Sequence, residues 1–354
     1  MLPNYNWMKK ESRVKVGISI GDINGIGIEV ILKTFLDTRM LDFCTPILFA
    51  SSKLISKHKK QLDLNVPING ISDFSQVIEH KVNLFNIWKN DVEVVFGTAS
   101  KTAGEYAFLS LKAAVESLNK GDIDVLVTAP INKDNIQSDD FNFQGHTEYL
   151  ESEIEGESLM ILMTNSLRVG LITGHIPIKD VANTITPELI EKKVAIMHDS
   201  LMKDFQIRKP KIAILGINPH CGDNGVIGDE DKDIVFPTIE KIQKTGKLVY
   251  GPFAADSFFG SKAYESFDGI LAMYHDQGLA PFKTLSFGKG VNFTAGLESV
   301  RTSPDHGTAY EIAGKCEANA DSFKEAVFSA IEIVKNRTEY RELNKNVLKA
   351  KRTR

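Results

Sequence analysis

The chain has 354 residues, 42% of them hydrophobic and 25% charged, with a formal net charge of −4. That length exceeds one ordinary core and indicates two domains with a cleft between them. The near-balanced charge offers no strong field for nucleic acid, so an anionic partner must be held by a few placed cations.

Three widely spaced cysteines, Cys44, Cys221 and Cys316, form no CxxC pair, so neither a disulfide framework nor a cysteine zinc knuckle is indicated. The N-terminal MLPNYNWMKKESR lacks the apolar stretch of a secretory signal. No run approaches the ~20 apolar residues that span a bilayer, and a reducing cytoplasm is the expected compartment. The basic terminal stretch KNVLKAKRTR reads as a solvated tail.

In chain order, the first expected strand is VKVGISI (14–20), followed by a helix through EVILKTFL. Further strands are expected at PILFA (46–50), VEVVFG (92–97) and DVLVTAP (124–130), with a helix over AGEYAFLSLKAAVESL between the last two. This βαβ order implies a largely parallel sheet. LMILMT, RVGLIT, KIAILGIN and GILAMY continue the strand series, and a helix over 187–205 opens with Thr186 as N-cap and Pro187 at N1. The fold class is α/β. Domain breaks are placed near Asn135 and Pro304, giving a discontinuous first domain (1–135 and 304–354) and a second domain (136–303).

Three of the eight histidines share one setting: LITGH ends on His175, ILGINPH on His220 and LAMYH on His275. In open α/β sheets ligands bind beyond the carboxyl ends of strands, where these rings would gather if the strands border one cleft. Three neutral imidazoles with open positions suit a catalytic divalent metal; the alternative is that each caps its strand. Asp276 and Asp256 could orient an imidazole or act as bases. Cys221, beside His220, is read as a bystander, and His58, His80 and His198 as surface residues.

GHTEYLES (145–152) opens a helix with His146 and Thr147, where free amides and a hydroxyl could meet an anion, or where Thr147 is simply the cap. Downstream, Lys283, Asn292 and Arg301 stand in a glycine-rich, apolar stretch; isolated cations there suggest a fixed anion. GDINGIGIE (21–29) occupies the place of a dinucleotide fingerprint, but its glycines at 21, 25 and 27 miss the G-x-G-x-x-G spacing.

Taken in order, GDINGIGIE, TAPINK, GHTE, TGHIPIKDVANTIT, INPHCGDNG, GPFAADSFF, MYHDQGLAPFK, GKGVNFTAGL and RTSPDHGTAYEIAGK resemble the 4-hydroxythreonine-4-phosphate dehydrogenase family of pyridoxal-phosphate biosynthesis across nearly the whole chain. The resemblance implies that His175, His220 and His275 bind one divalent metal, with zinc expected and magnesium or cobalt as alternatives. The first two would come from one subunit of a homodimer and the third from its partner. It implies substrate contacts from His146, Thr147, Lys283, Asn292 and Arg301, and proton transfer by Lys283 or Asp256. A more distant likeness to isopropylmalate and isocitrate dehydrogenases implies two α/β/α domains with a cleft between them, a metal-bearing second domain at the dimer interface, and NAD or NADP bordered by His306, Gly307 and Thr308. The first loop departs from the family's GEPAGIGPE at Asp22, Ile23, Asn24 and Ile28.

The implied activity is oxidation of 4-phosphooxy-L-threonine and decarboxylation to 3-amino-2-oxopropyl phosphate. The alternatives are a dehydrogenase of erythronate or threonate 4-phosphate, and a non-catalytic phosphosugar-binding protein. A small phosphorylated molecule is the expected partner; nucleic acid and membrane are not.

Overall fold

Alternating apolar and small residues place the first strand in the sheet interior. Val16 and Ile18 point to one face, while Gly17 on the other lies so close to Ile123 and Phe49 that no Cβ would fit. A computed structural model describes residues 13–345, so residues 1–12 and all but Lys345 of the basic terminal stretch lie outside the described residues. Its strands are β1 (Val14–Ser19), β2 (Cys44–Ala50), β3 (Ile68–Ile71), β4 (Val82–Asn86), β5 (Val125–Thr128), β6 (Gly156–Met163), β7 (Arg168–Leu171), β8 (Lys211–Leu215), β9 (Leu248–Phe253), β10 (Gly269–Ala272), β11 (Val291–Leu297) and β12 (Val300–Pro304). The α-helices are α1 (Gly27–Leu36), α2 (Ser52–Leu62), α3 (Lys101–Lys120), α4 (His146–Glu153), α5 (Val181–Thr184), α6 (Pro187–Lys203), α7 (Phe236–Gln243), α8 (Ala255–Gly260), α9 (His275–Ser286) and α10 (Asp321–Asn344).

All the strands form one sheet in the order β3-β4-β2-β1-β5-β12-β11-β6-β7-β10-β8-β9. Pairing is parallel except at the centre, where β11 runs antiparallel to both β12 and β6, and β6 antiparallel to β7. The α/β class and the βαβ order are as expected.

One face carries a continuous apolar layer under α1, α2, α6 and α10. The other face is interrupted: one cluster packs α3 and α4 near Phe49 and Leu126, and a second packs α8 and α9 near Leu215 and Ala272. Strand parity explains the gap. On β5, β12 and β11 the residues facing it are Thr128, Arg301, Ser303, Asn292 and Thr294, while their neighbours Val127, Val300, Phe293 and Ala295 fill the continuous layer. Polar side chains at the centre of an otherwise apolar sheet leave a cleft between the two packed halves.

Thr186 caps α6 by accepting from the Leu189 amide, with Pro187 behind it, as its sequence indicates. Two expectations are corrected. VEVVFG (92–97) is not a strand: the Val95 amide donates to Asn24 Oδ1 and the Gly97 amide to the Asn24 carbonyl, so its backbone serves the first glycine loop instead of the sheet, and β4 lies upstream. His58 is fully buried, because on α2 it shares an inward face with Leu54, Ile55 and Leu62 and packs edge-on against Phe96.

Candidate active site

The polar gap opens into a cavity of about 220 Å³ bordered by the ends of β5 and β12, the first turns of α4 and α9, and the segment after β12. At its floor lies Arg301, only 2% exposed. Its guanidinium donates to Thr128 Oγ1 (2.6 and 3.1 Å) and to Thr294 Oγ1 (3.2 Å); among the described residues no carboxylate forms an ion pair with it, and Glu148 acts on it only at longer range. Two hydroxyls do not neutralise a buried cation, and burial pulls its pKa down to about 9. The arrangement therefore calls for an anion.

Other groups aim at the same space. His146 opens α4 behind Gly145, which is the N-cap; Thr147 is not, so the capping alternative for Thr147 is set aside. The His146 ring is desolvated beside Arg301 and Lys133, which pushes its pKa well below the usual value and holds it neutral. His146 Nε2 and Asn292 Oδ1 are buried without hydrogen-bond partners. Lys283, two helical turns into α9 and half-exposed, sits 3.3 Å from Asp305, whose carboxyl is raised by burial against the pull of that lysine.

At the rim, His175 and His275 stand with ring centroids 5.3 Å apart. The reason is register: β7 and β10 are parallel neighbours with Leu171 opposite Ala272, so the residues beyond their ends meet. Each ring has a carboxylate at Nδ1, Asp276 at 2.6 Å from His275 and Glu148 at 3.8 Å from His175. Such partners orient metal-ligating imidazoles and leave Nε2 free. Lys133 Nζ lies 3.3 Å from that nitrogen of His175.

His220 stands apart. It follows β8, the next strand after β10, but enters a left-handed turn that leaves it exposed, and it does not line the cavity. Asp256, exposed on α8, likewise lies outside the cavity; burial, then the charges of Asp231 and Asp256, push the Cys221 thiol up to about 11. Within one chain, then, His175 and His275 meet, and His220 lies outside the cavity they border. Among the described residues, no three histidine, cysteine or carboxylate side chains of one chain gather as a metal site. The donor chemistry of His175 and His275 nonetheless suits two ligands of a divalent ion.

The glycine loop after β1 meets the segment after β12. The Ile26 amide donates to the Thr308 carbonyl at 3.0 Å, and a Cβ at Gly25 would come within 2.8 Å of that oxygen. Asp22, 1% exposed, accepts from Asn135 Nδ2 (2.8 Å) and Tyr310 Oη (2.7 Å), drawing three loops to one carboxylate. His306 and Gly307 line the cavity, and burial lowers the His306 pKa.

Residues 42–330 match the family model described as pyridoxal phosphate biosynthetic protein PdxA. The chain belongs to the PdxA family. It is 49% identical over 330 residues to a 4-hydroxythreonine-4-phosphate dehydrogenase of Bacteroides thetaiotaomicron, covering 93% of this chain and 91% of the relative. A protein of Oceanobacillus iheyensis, provisionally named a D-threonate 4-phosphate dehydrogenase, is 35% identical over 90% of this chain and 97% of its own length. The crystal structure of a 4-hydroxythreonine-4-phosphate dehydrogenase from Burkholderia phymatum superposes with a TM-score of 0.74 at 34% identity, covering 91% of this chain and 98% of that one.

As a PdxA-family chain it is a dehydrogenase acting on a CH–OH group with a nicotinamide coenzyme. The cavity is also lined by Lys133, Glu148, Asp305 and Thr128, and Thr294 stands behind it as a partner of Arg301, none of which the sequence motifs marked out individually. Lys133 ends TAPINK and Glu148 ends GHTE, so both lay inside motifs quoted for the family. The two threonines carry only the faint signal of a hydroxyl where strand parity expects an apolar residue.

Proposed function

We propose that this chain oxidises 4-phosphooxy-L-threonine with NAD or NADP to 2-amino-3-oxo-4-phosphooxybutanoate, which loses CO₂ to give 3-amino-2-oxopropyl phosphate in pyridoxine 5'-phosphate biosynthesis. The observation that carries this reading is the buried Arg301 guanidinium without a carboxylate partner, in a chain whose curated relatives are named for this substrate. Arg301 and Lys283 are assigned to the phosphate and carboxylate ends, with Thr147 as a hydroxyl donor and Asn292 Oδ1 and neutral His146 Nε2 as the unpartnered polar atoms facing them.

His175, His220 and His275 would hold a divalent ion, zinc being favoured by the nitrogen ligands, which would supply Lewis acidity, while a bound nicotinamide coenzyme would supply the hydride acceptor. The chain's own groups do the rest. For Lys283 to take the hydroxyl proton, its ammonium must first pass a proton on, and Asp305, 3.3 Å away, is the carboxylate placed to receive it. The C–H electron pair leaves as hydride, and the ketone formed lies β to the carboxylate. Cleavage of that C–C bond then releases CO₂ while the fixed cations steady the enolate left behind, which takes up one proton at the carbon that carried the carboxylate to give the amino ketone. Glu148 and Asp276 hold the two imidazoles in aim. His306, Gly307 and Thr308 are assigned to the coenzyme because they border the cavity or clamp its wall.

The site is proposed to be completed by a second copy of the chain, which brings His220 and Asp256. Exposed Val226, Ile227, Phe236 and Tyr250 cluster around the His220 turn and the edge strand β9, giving that face apolar area to bury. The first domain, 1–135 and 304–354, would then carry the coenzyme, and the second, 136–303, the metal and the interface. No helix of the described residues is long and apolar enough to cross a membrane. The free cysteines suit a reducing cytoplasm.

The Oceanobacillus relative supports a second reading, a dehydrogenase of threonate or erythronate 4-phosphate. One panel decides: the 4-phosphates of hydroxythreonine, threonate and erythronate, each assayed with NAD and with NADP by nicotinamide absorbance, with and without a chelator. Hydroxythreonine phosphate should turn over fastest and lose its rate on chelation. A preference for threonate phosphate selects the second reading, and no reduction of either coenzyme overturns both.

A further inference from the structure

Five consecutive residues, His220, Cys221, Gly222, Asp223 and Asn224, have positive φ between 45° and 78°. Only one of them is glycine, and each of the other four occupies a conformation disfavoured for L-residues. A left-handed turn of this length persists only where its surroundings over-determine it. The turn carries His220 away from His175 and His275, out to the exposed face.

A buried carboxylate braces the segment that leads into it. Asp231, 1% exposed, accepts from the Ile217 amide at 2.8 Å through one oxygen and from the Asn218 amide at 2.9 Å through the other. These amides join the end of β8 to the turn. Its first oxygen also lies close over Gly216, where a Cβ would come within 3.0 Å of it and within 2.8 Å of Cys221 Sγ. Asn218 adds a side-chain bond to Glu230 at 2.8 Å, and the Gly222 carbonyl accepts from Ile227 at 3.0 Å. Asp231 itself is fixed at the start of a π-turn that leads into α7, a local distortion frequent at functional sites.

We infer that Asp231 is the positioning residue of His220: its carboxylate, spanning two amides, sets the exit angle of the left-handed turn and so the place at which His220 meets a neighbouring chain. The inference rests on the reading that His220 serves a site completed between two copies. It assigns Asp231 to the His220 half of that site, although the carboxylate touches neither substrate nor ring.

The test uses full-length Asp231→Asn, whose new amide nitrogen would face a backbone N–H. Cobalt is titrated into the chelator-treated protein and followed by its visible absorption, without turnover. The expected result is a normal far-UV spectrum with cobalt affinity weakened about 10- to 100-fold. Assayed at a cobalt level that saturates wild type but leaves the variant largely empty, a mixture with His275→Ala should gain activity, because one intact site re-forms; a mixture with His220→Ala should not, because both lesions lie in the same half. Wild-type cobalt affinity, or recovery with His220→Ala, overturns the inference. Wild-type cobalt affinity in His220→Ala alone would instead overturn the underlying metal reading, which keeps the two failures distinct. Should Asp231→Asn not fold, Asp231→Glu keeps the charge but moves the carboxylate by one methylene off the Ile217 and Asn218 amides, and the same titration and mixing decide with the same outcomes.

Discussion

His175 and His275 face each other across 5.3 Å because their strands are hydrogen-bonded neighbours ending at the same level. On the proposed reading these two rings serve a site together, and His220 reaches it from a second copy of the chain. Mixing experiments read this division directly. His175→Ala and His275→Ala proteins damage the same half and should stay inactive when mixed. His220→Ala mixed with His275→Ala should regain roughly a quarter of wild-type activity, since half of the dimers are mixed and each holds one intact site. Recovery in the first mixture, with subunit exchange confirmed, would show the rings divided the other way.

Arg301 is a buried charge whose protein partners are two threonine hydroxyls. Replacing it with methionine removes both the anion contact and an uncompensated cation. The free Arg301→Met protein should melt no lower than wild type, because no ion pair is broken. Its KM for the phosphorylated substrate should rise by 10² or more, the loss of a charge-assisted, multiply bonded contact of about 3 kcal/mol. A lower melting temperature with unchanged KM would make Arg301 a structural cation.

Much of this site was legible because strand parity and strand ends are sequence properties. Arg301 and Asn292 stood out as polar residues in apolar runs, and three histidines each closed a strand. What could not be read was lateral order. The sequence does not say that β10 lies between β7 and β8, so it cannot tell which two histidines meet. Nor did the polarity of α2 reveal that His58 points inward, although its spacing from Leu54 and Leu62 is that of one helix face. VEVVFG looked like a strand because its composition is strand-like; Asn24, some seventy residues earlier, captures its amides and removes them from the ladder.

His58 offers a pH test. Burial against Phe96 lowers its pKa to about 4, only partly offset by the backbone of Ile23. The unfolded chain takes up this proton near pH 6.5, the folded one only near 4. Between those values the unfolded state binds more protons, so stability is complete above pH 6.5 and falls as pH falls towards 4, by about 3 kcal/mol from this group. Denaturant midpoints of wild type and His58→Leu, compared across that range, should show a flatter profile for the variant. Parallel profiles would mean that His58 is not buried neutral.

The last expectation concerns the wall between the glycine loop and the segment assigned to the coenzyme. Alanine at Gly25 would press its Cβ to 2.8 Å from the Thr308 carbonyl oxygen and 3.1 Å from Thr308 Cβ. Backbone cannot swing aside as a long side chain does, so the 306–308 segment must shift, at a cost of about 1–3 kcal/mol. The anion contacts of Arg301 sit on β5, β11 and β12 and are anchored independently of that segment. Gly25→Ala should therefore raise KM for the nicotinamide coenzyme roughly tenfold, a displacement worth about 1.4 kcal/mol. Calorimetric binding of the phosphorylated substrate alone should remain near wild type. If substrate affinity drops while coenzyme KM holds, then His306, Gly307 and Thr308 border the substrate and the coenzyme must enter from another side of the cleft.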